Sequence, residues 1–313
     1  ETRRVEQWLK APPPADEIDP TQIPKAHRQL FYDAALMTVR RRANQASSVK
    51  PSYIVIENLA FTNTGPNKSY LDANNSAQSY SSTGSALYIA GAENVTVRKC
   101  TFTNSLRGVS VRSGATEADI SRNVTIERSV FSGNSPGSGN GANVRGEAIG
   151  FTLQFCDLQR PAGTSSGAVN IHEASAGSVI RCNRIEGGGY LLYGSDPTFN
   201  FTPNSSIYSD PAFGTMQVHG NIFVNGPAPP AAADNGTDNS TLIQIGDIFG
   251  TSGATHRTGT VHFHHNSLLV NSLRYQTSIF SFSEPQSVLK ATNNIFHHTQ
   301  SVGSSQFFDF RKY

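Results

Sequence analysis

Apolar and polar positions alternate in short runs that recur along most of the chain, and each run ends in the same phrase. In NVTIERSVFSGN, FTLQFCDLQRPAG and GSVIRCNRIEGGG a strand-like stretch leads to a small or amide residue. A large apolar residue follows two places later, then a turn of Gly, Asn or Pro. The small positions are Ser129, Cys156 and Asn183, spaced by 27 and 27, and the apolar ones are Phe131, Leu158 and Ile185. Five further copies supply Leu59 and Phe61, Cys100 and Phe102, Asn221 and Phe223, Asn266 and Leu268, and Asn294 and Phe296. Spacings between successive copies are 41, 29, 27, 27, 38, 45 and 28, so a unit of about 22–29 residues carries longer insertions between some copies. No stretch has the length of the helix that would close a βαβ unit, which argues against a doubly wound sheet or a helix-lined barrel.

Short strands repeated at this period predict an all-β solenoid, a right-handed parallel β-helix. Equivalent residues of stacked coils lie ~4.8 Å apart. The second slot therefore predicts a continuous apolar column, and Asn in the first slot predicts an inward ladder of amides bonded up and down the stack. Residues 1–50 read as an irregular, Pro-rich segment with a first coil within 29–43, where the alternation of Ala35, Met37 and Val39 favours strand over helix. Residues 51–313 read as the β-helix proper, with insertions at 63–85, 194–214 and 226–240, an extra strand in GVSVRSG, and an outward Gly/Ser/Asn loop over 132–146. The strand-like FFDFRKY has no evident cap, so further chain or a partner is expected to cover that end.

Composition narrows the function classes. The 313 residues carry a formal net charge of +2 with 15% charged residues, and no basic stripe with interleaved aromatics marks a nucleic-acid partner. Arg40, Arg41 and Arg42 form the densest basic cluster and are expected on a solvated face. No run of 18 apolar residues exists to span a membrane. Cys100, Cys156 and Cys182 lie in or beside first slots and are expected as small buried hydrophobes; a Cys156–Cys182 disulfide is left open by the spacing. Richness in Asn, Ser, Thr and Gly with few Lys fits life outside the cytoplasm, secreted, periplasmic or at the cell surface. The chain starts at Glu1 without an initiator Met, which fits a cleaved leader or a fragment. Sequons at Asn94, Asn123, Asn200, Asn204, Asn235 and Asn239 are expected by chance in such a composition.

The string NVRGEAIGFTLQFCDLQRPAG, followed by AVNIHEASAGSVIRCNRIEGGGYLLYG, resembles a group of secreted bacterial parallel β-helix proteins within the pectate-lyase-like superfamily. The likeness runs loosely from PSYIVIENLAF to NNIFHH. It implies additional N-terminal coils and action on polysaccharide. The group typically carries Lys and Arg flanking an Asp in the segment matching VNIHEASAG, where this chain has His172, Glu173 and Ala174. The Lys/Arg pair of related alginate and dermatan-sulfate lyases falls near His172 and Tyr193, so neither basic residue is present.

Elimination from a uronate requires a base for the α-proton and a cation to neutralise the carboxylate. The candidates are His172 as base and Arg145, Arg160 or Arg181 as cation. A hydrolase would need paired carboxylates ~5–9.5 Å apart, for which Glu147, Asp157 and Glu173 on successive coils are the candidates. The Asp triplet and G-H-G string of polygalacturonases are absent, and Gly246–Gly250 is one residue short of the pectin methylesterase string. Asn170, Tyr190 and Tyr193 complete the expected glycan-binding set; Tyr70, Tyr80, Phe199, Phe201 and Tyr208, carried by the insertions, either stack on sugar rings or pack the loops down. His262, His264 and His265, with His297 and His298 a coil later, are expected as stacked surface histidines rather than a metal site. No cofactor is implied, and no Asp cluster suited to calcium is evident. The expectation is a lyase-like protein acting on an acidic glycan. The alternative is a non-catalytic glycan-binding, adhesin or structural β-helix.

Overall fold

The computed structural model describes residues 35–40, 49–65, 68–71, 75–80, 84–113, 117–134, 142–159, 169–172, 177–187, 192–194, 214–225, 240–245, 259–270, 276–282, 287–298 and 304–310. Among them, strands form three long parallel sheets of nine, eight and eight strands, here A, B and C, beside one two-stranded antiparallel hairpin. The chain visits the sheets in strict rotation. Arg107–Arg112 lies in A, Arg122–Glu127 in B and Val130–Ser132 in C, and Ala142–Gly146 then returns to A. This is a right-handed parallel β-helix.

The second slot forms the core column of sheet C. Phe61, Phe102, Phe131, Leu158, Ile185, Phe223, Leu268 and Phe296 are register partners from one end to the other. Because the coils set the spacing, the Phe61, Phe102 and Phe131 rings stack at 5.0 and 4.8 Å, nearly parallel. Sheet B adds Ile56, Val97, Ile126, Leu153, Ile180, Val218 and Phe263, and sheet A adds Leu87, Val109, Val144 and Ile171, all buried. Each large side chain buried this way contributes roughly 1.5–3 kcal/mol.

The first slot forms the predicted ladder at the B–C corner. Asn183 donates through its backbone N–H and its amide to Asn221 Oδ1, both at 3.0 Å. Asn221 donates in the same way to Asn266, and Asn266 to Asn294. Each amide also donates to a sheet B carbonyl of the preceding coil, as Asn183 does to Leu153 and Asn221 to Ile180. Cys100 and Cys156 fill the slot as weaker donors, their thiols directed at the Ile56 and Ile126 carbonyls. Burial pushes the Cys156 thiol up to about 12, so it stays protonated and inert.

The residue before every first slot has a left-handed backbone: Asn58, Lys99, Arg128, Phe155, Cys182, Gly220, His265 and Asn293 all have φ between 50° and 66°. That conformation turns the chain sharply from B into C. It also corrects the reading of Cys182, which sits on the exposed outer side of the corner while Cys100 and Cys156 are buried; all three are free thiols. The Cys156–Cys182 disulfide does not form because the two side chains leave opposite sides of the turn.

One further expectation changes, and one choice is settled for the first insertion. Residues 142–146, read as part of an outward loop, form a fully buried sheet A strand. Gly146 occupies an inward position where a Cβ would meet the Phe151 ring at 2.6 Å, so the small residue makes room for the large one. In the first insertion, Ser69–Leu71 and Ala77–Ser79 form the antiparallel hairpin, and Tyr70 packs on the buried Tyr80 at 4.9 Å. Those tyrosines hold the insertion together. The aromatics expected at 199, 201 and 208 lie outside the described residues.

Candidate functional site

Because Val109 and Val111 point into the core, Ser110 between them points to the outer face of sheet A. Tyr88, Ser110, Arg145, His172, Tyr193, Gln244, Ser281 and Asp309 are backbone register partners in one column of sheet A. Three residues singled out by sequence, Arg145, His172 and Tyr193, therefore stand on consecutive strands, with Asn170 on the same strand as His172. The outer face is not bare at this level, since Ser110 is 1% exposed.

Arg145 and Glu147 also face the same way, two residues apart. Glu147 is completely buried. Its Oε1 accepts from Arg145 Nε at 2.9 Å and Nη2 at 2.6 Å, while its Oε2 pairs with Arg112 Nε at 2.9 Å. Its backbone is fixed as well: the Glu147 N–H donates to the Val111 carbonyl, and the Ser113 hydroxyl donates to the Glu147 carbonyl. Two guanidiniums around one carboxylate sum to one positive charge, and the arginine side chains keep 10% and 20% exposure at the surface. The arrangement holds a rigid cation against sheet A and keeps the carboxylate away from solvent.

The remaining candidates are dispersed. Arg181 is on sheet B, its Nε donating to Gln154 Oε1 at 2.8 Å. Asp157 is on sheet C, paired with Arg184 at 3.1 Å, so it does not converge with Glu147 as a hydrolase pair would require. Arg160, Glu173 and Tyr190 lie outside the described residues.

Sheet B carries a second polar column that sequence reading recognised only at its histidine end. Glu57, Arg98, Glu127, Gln154, Arg181, His219, His264 and Thr292 are in register on its outer side. Arg98 pairs with Glu57 at 2.8 Å, and the Gln154 amide donates to Glu127 at 2.6 Å. The His219 and His264 rings stack at 4.9 Å and 2°. Alternation of charge in register was the available signal. His264 falls beside Thr292, whereas His297 is on sheet C. Among the described residues no group of three or more His, Cys, Asp or Glu is placed to hold a metal ion.

Burial, then the neighbouring His264 and Arg181, lowers the His219 pKa; burial, then His265 and His262, lowers that of His264. The folded state therefore binds these protons less well than the unfolded chain. Stability is fully present above the unfolded value of 6.5 and lost as pH falls through the depressed folded values. Thermal melts between pH 8 and 5 are expected to show this loss, and His219→Gln is expected to make it shallower. An equal loss in the variant would count against the stack as its source.

Three solved structures are similar to the chain at low identity. DFA-IIIase from Arthrobacter chlorophenolicus A6 without its lid has 12% identity and a TM-score of 0.49, over 90% of this chain and 65% of that one. The same enzyme in complex with GF2 has 14% identity and a TM-score of 0.45, over 87% and 60%. The tailspike of E. coli bacteriophage HK620 in complex with pentasaccharide has 12% identity and a TM-score of 0.40, over 80% and 44%. The chain thus spans less than two thirds of these proteins. None of the likenesses reaches the chemistry of a site. No curated protein matches the chain. The family described as "Right handed beta helix region" matches residues 67–244. With more than half of the chain matched and three parallel sheets wound in rotation, the protein belongs to the right-handed β-helix family.

Proposed function

We propose that the protein acts outside the cytoplasm on an acidic polysaccharide, as a lyase whose site is the sheet A register column of Arg145, His172 and Tyr193. The observation that carries this reading is the register of Arg145, His172 and Tyr193 on three consecutive strands. Successive rungs are ~4.8 Å apart, so three rungs span the reacting part of an extended glycan. In this reading the cluster of Arg145, Arg112 and Glu147 supplies the positive charge that neutralises a uronate carboxylate. That neutralisation lowers the cost of removing the α-proton. His172 is the residue type suited to take that proton near neutral pH, and Tyr193 the type suited to protonate the leaving oxygen. Arg181 and Asp157 have no part in it, being on other sheets.

Incubation with alginate, pectate, glycosaminoglycans and bacterial exopolysaccharides is expected to raise absorbance near 235 nm as the unsaturated uronate forms. His172→Ala is expected to reduce the rate by about 10²–10⁴-fold, with Tyr193→Phe reducing it as well. One observation favours a second reading, a non-catalytic glycan-binding β-helix: Arg145 is already engaged by a fully buried carboxylate. Retained binding to a glycan of the panel without any absorbance change would replace the lyase by that binder.

A further inference from the structure

Outside sheet A, the B–C corner brings together two side chains that a regular strand would separate. Neighbouring residues of a strand point to opposite faces. His264 points outward, as the burial of Val261 and Phe263 requires. His265 occupies the left-handed corner position with φ 54°, which returns its side chain to the same outer side. The two Nδ1 atoms stand 2.9 Å apart. We propose that His264 and His265 are a surface two-nitrogen site for a borderline divalent transition metal, copper(II) above nickel(II) and zinc(II).

Imidazole nitrogens bind such ions at ~2.0–2.1 Å. Two of them at right angles around one ion are then separated by roughly 2.9 Å, the distance found. Both rings are held before any ion arrives. His264 is part of a strand paired on both sides, and its ring lies against that of His219. The His265 N–H donates to the Thr292 carbonyl at 3.2 Å. At the far edge of the His265 ring, the Asn293 amide nitrogen is 3.3 Å from Nε2. Amide oxygen and nitrogen are interchangeable by a flip. With its oxygen turned to the ring, Asn293 accepts the Nε2 proton and leaves the Nδ1 lone pair to the ion, the usual outer support of a metal-bound histidine.

Two neutral nitrogens without a carboxylate select against magnesium and calcium, and imidazole affinity rises toward copper. Water completes the coordination. The alternative use of the same geometry is a simple N–H···N hydrogen bond between the rings.

Copper(II) chloride titrated into the full chain, followed by electron paramagnetic resonance and calorimetry, separates the two. The expected result is a bound ion whose hyperfine pattern reports two nitrogens, and whose affinity falls at least tenfold in His264→Ala. His265→Gly is the second variant, because glycine adopts the left-handed corner without strain. Its loss of copper binding with an unchanged circular dichroism spectrum is expected and cannot be attributed to misfolding. His262→Ala is expected to bind as the wild type does. Copper affinity unchanged in both His264→Ala and His265→Gly overturns the proposal and leaves the hydrogen bond.

Discussion

Glu147→Ala is expected to destabilise the protein by about 3–5 kcal/mol, measured as a lower denaturant midpoint. The loss does not come from the value of an ion pair as such. Removing the carboxylate leaves the guanidiniums of Arg145 and Arg112 against sheet A without the partner that both share. Breaking a buried ion pair from one side costs more than the intact pair contributes. Glu147→Gln keeps the volume and one acceptor, so it should fall between wild type and Ala. In the same variants the glycan-directed activity proposed above should fall too, since the cation would no longer be fixed. A Glu147→Ala protein as stable as wild type would show that the cluster is dispensable to the fold.

Asn221→Ala is the second large effect, about 3 kcal/mol, or roughly 4–5 °C in the melting temperature. Its Oδ1 accepts two bonds from Asn183, and its amide reaches the Ile180 carbonyl and Asn266 Oδ1. Alanine would leave the buried Asn183 N–H and the Ile180 carbonyl without these partners, each worth roughly 1–3 kcal/mol when orphaned. The solvent-facing corner residue beside it provides the control: Gly220 has φ 66°, so substitutions there test the turn separately from the ladder. A melting temperature for Asn221→Ala within a degree or two of wild type would mean that the rungs rearrange to satisfy one another.

The columns of the fold were legible because period and chemistry coincide: one slot must be apolar and the other must donate and accept along the stack. All eight Phe61-to-Phe296 positions fall in register for that reason. Residues 142–146 were misread because Gly146 and Arg145 look loop-like. The strand's apolar requirement is met instead by Val144 and by the Phe151 ring that fills the space above Gly146. Cys182 lies beside its slot, as the spacing implies, but is exposed rather than buried, because one step at a left-handed corner exchanges inside for outside.

The site was legible only in part. Arg145 and Glu147 were each singled out, but for separate roles; period two already placed them on one side, and the structure shows them bonded. Asp157 and Arg181 sit on neighbouring coils, as their sequence positions imply, yet on sheets C and B. Neighbouring in coil number is not sharing a face. The corner that brings His264 to His265 depends on a backbone angle that alternation does not encode.

That corner also bears on how such a chain changes over time. From Asn58 to Asn293 the turn from B into C is always one left-handed residue followed by the ladder residue, with nothing inserted. Length variation is therefore confined to the other two edges. The B–C edge is a ruler with one residue at every mark: asparagine, lysine, arginine, phenylalanine, cysteine, glycine, histidine and asparagine in turn. Those identities differ while the ladder behind them continues unbroken from Asn183 to Asn294. Surface chemistry along that edge can be rewritten residue by residue without renegotiating the scaffold, which makes it a natural place for new recognition to arise or to be grafted.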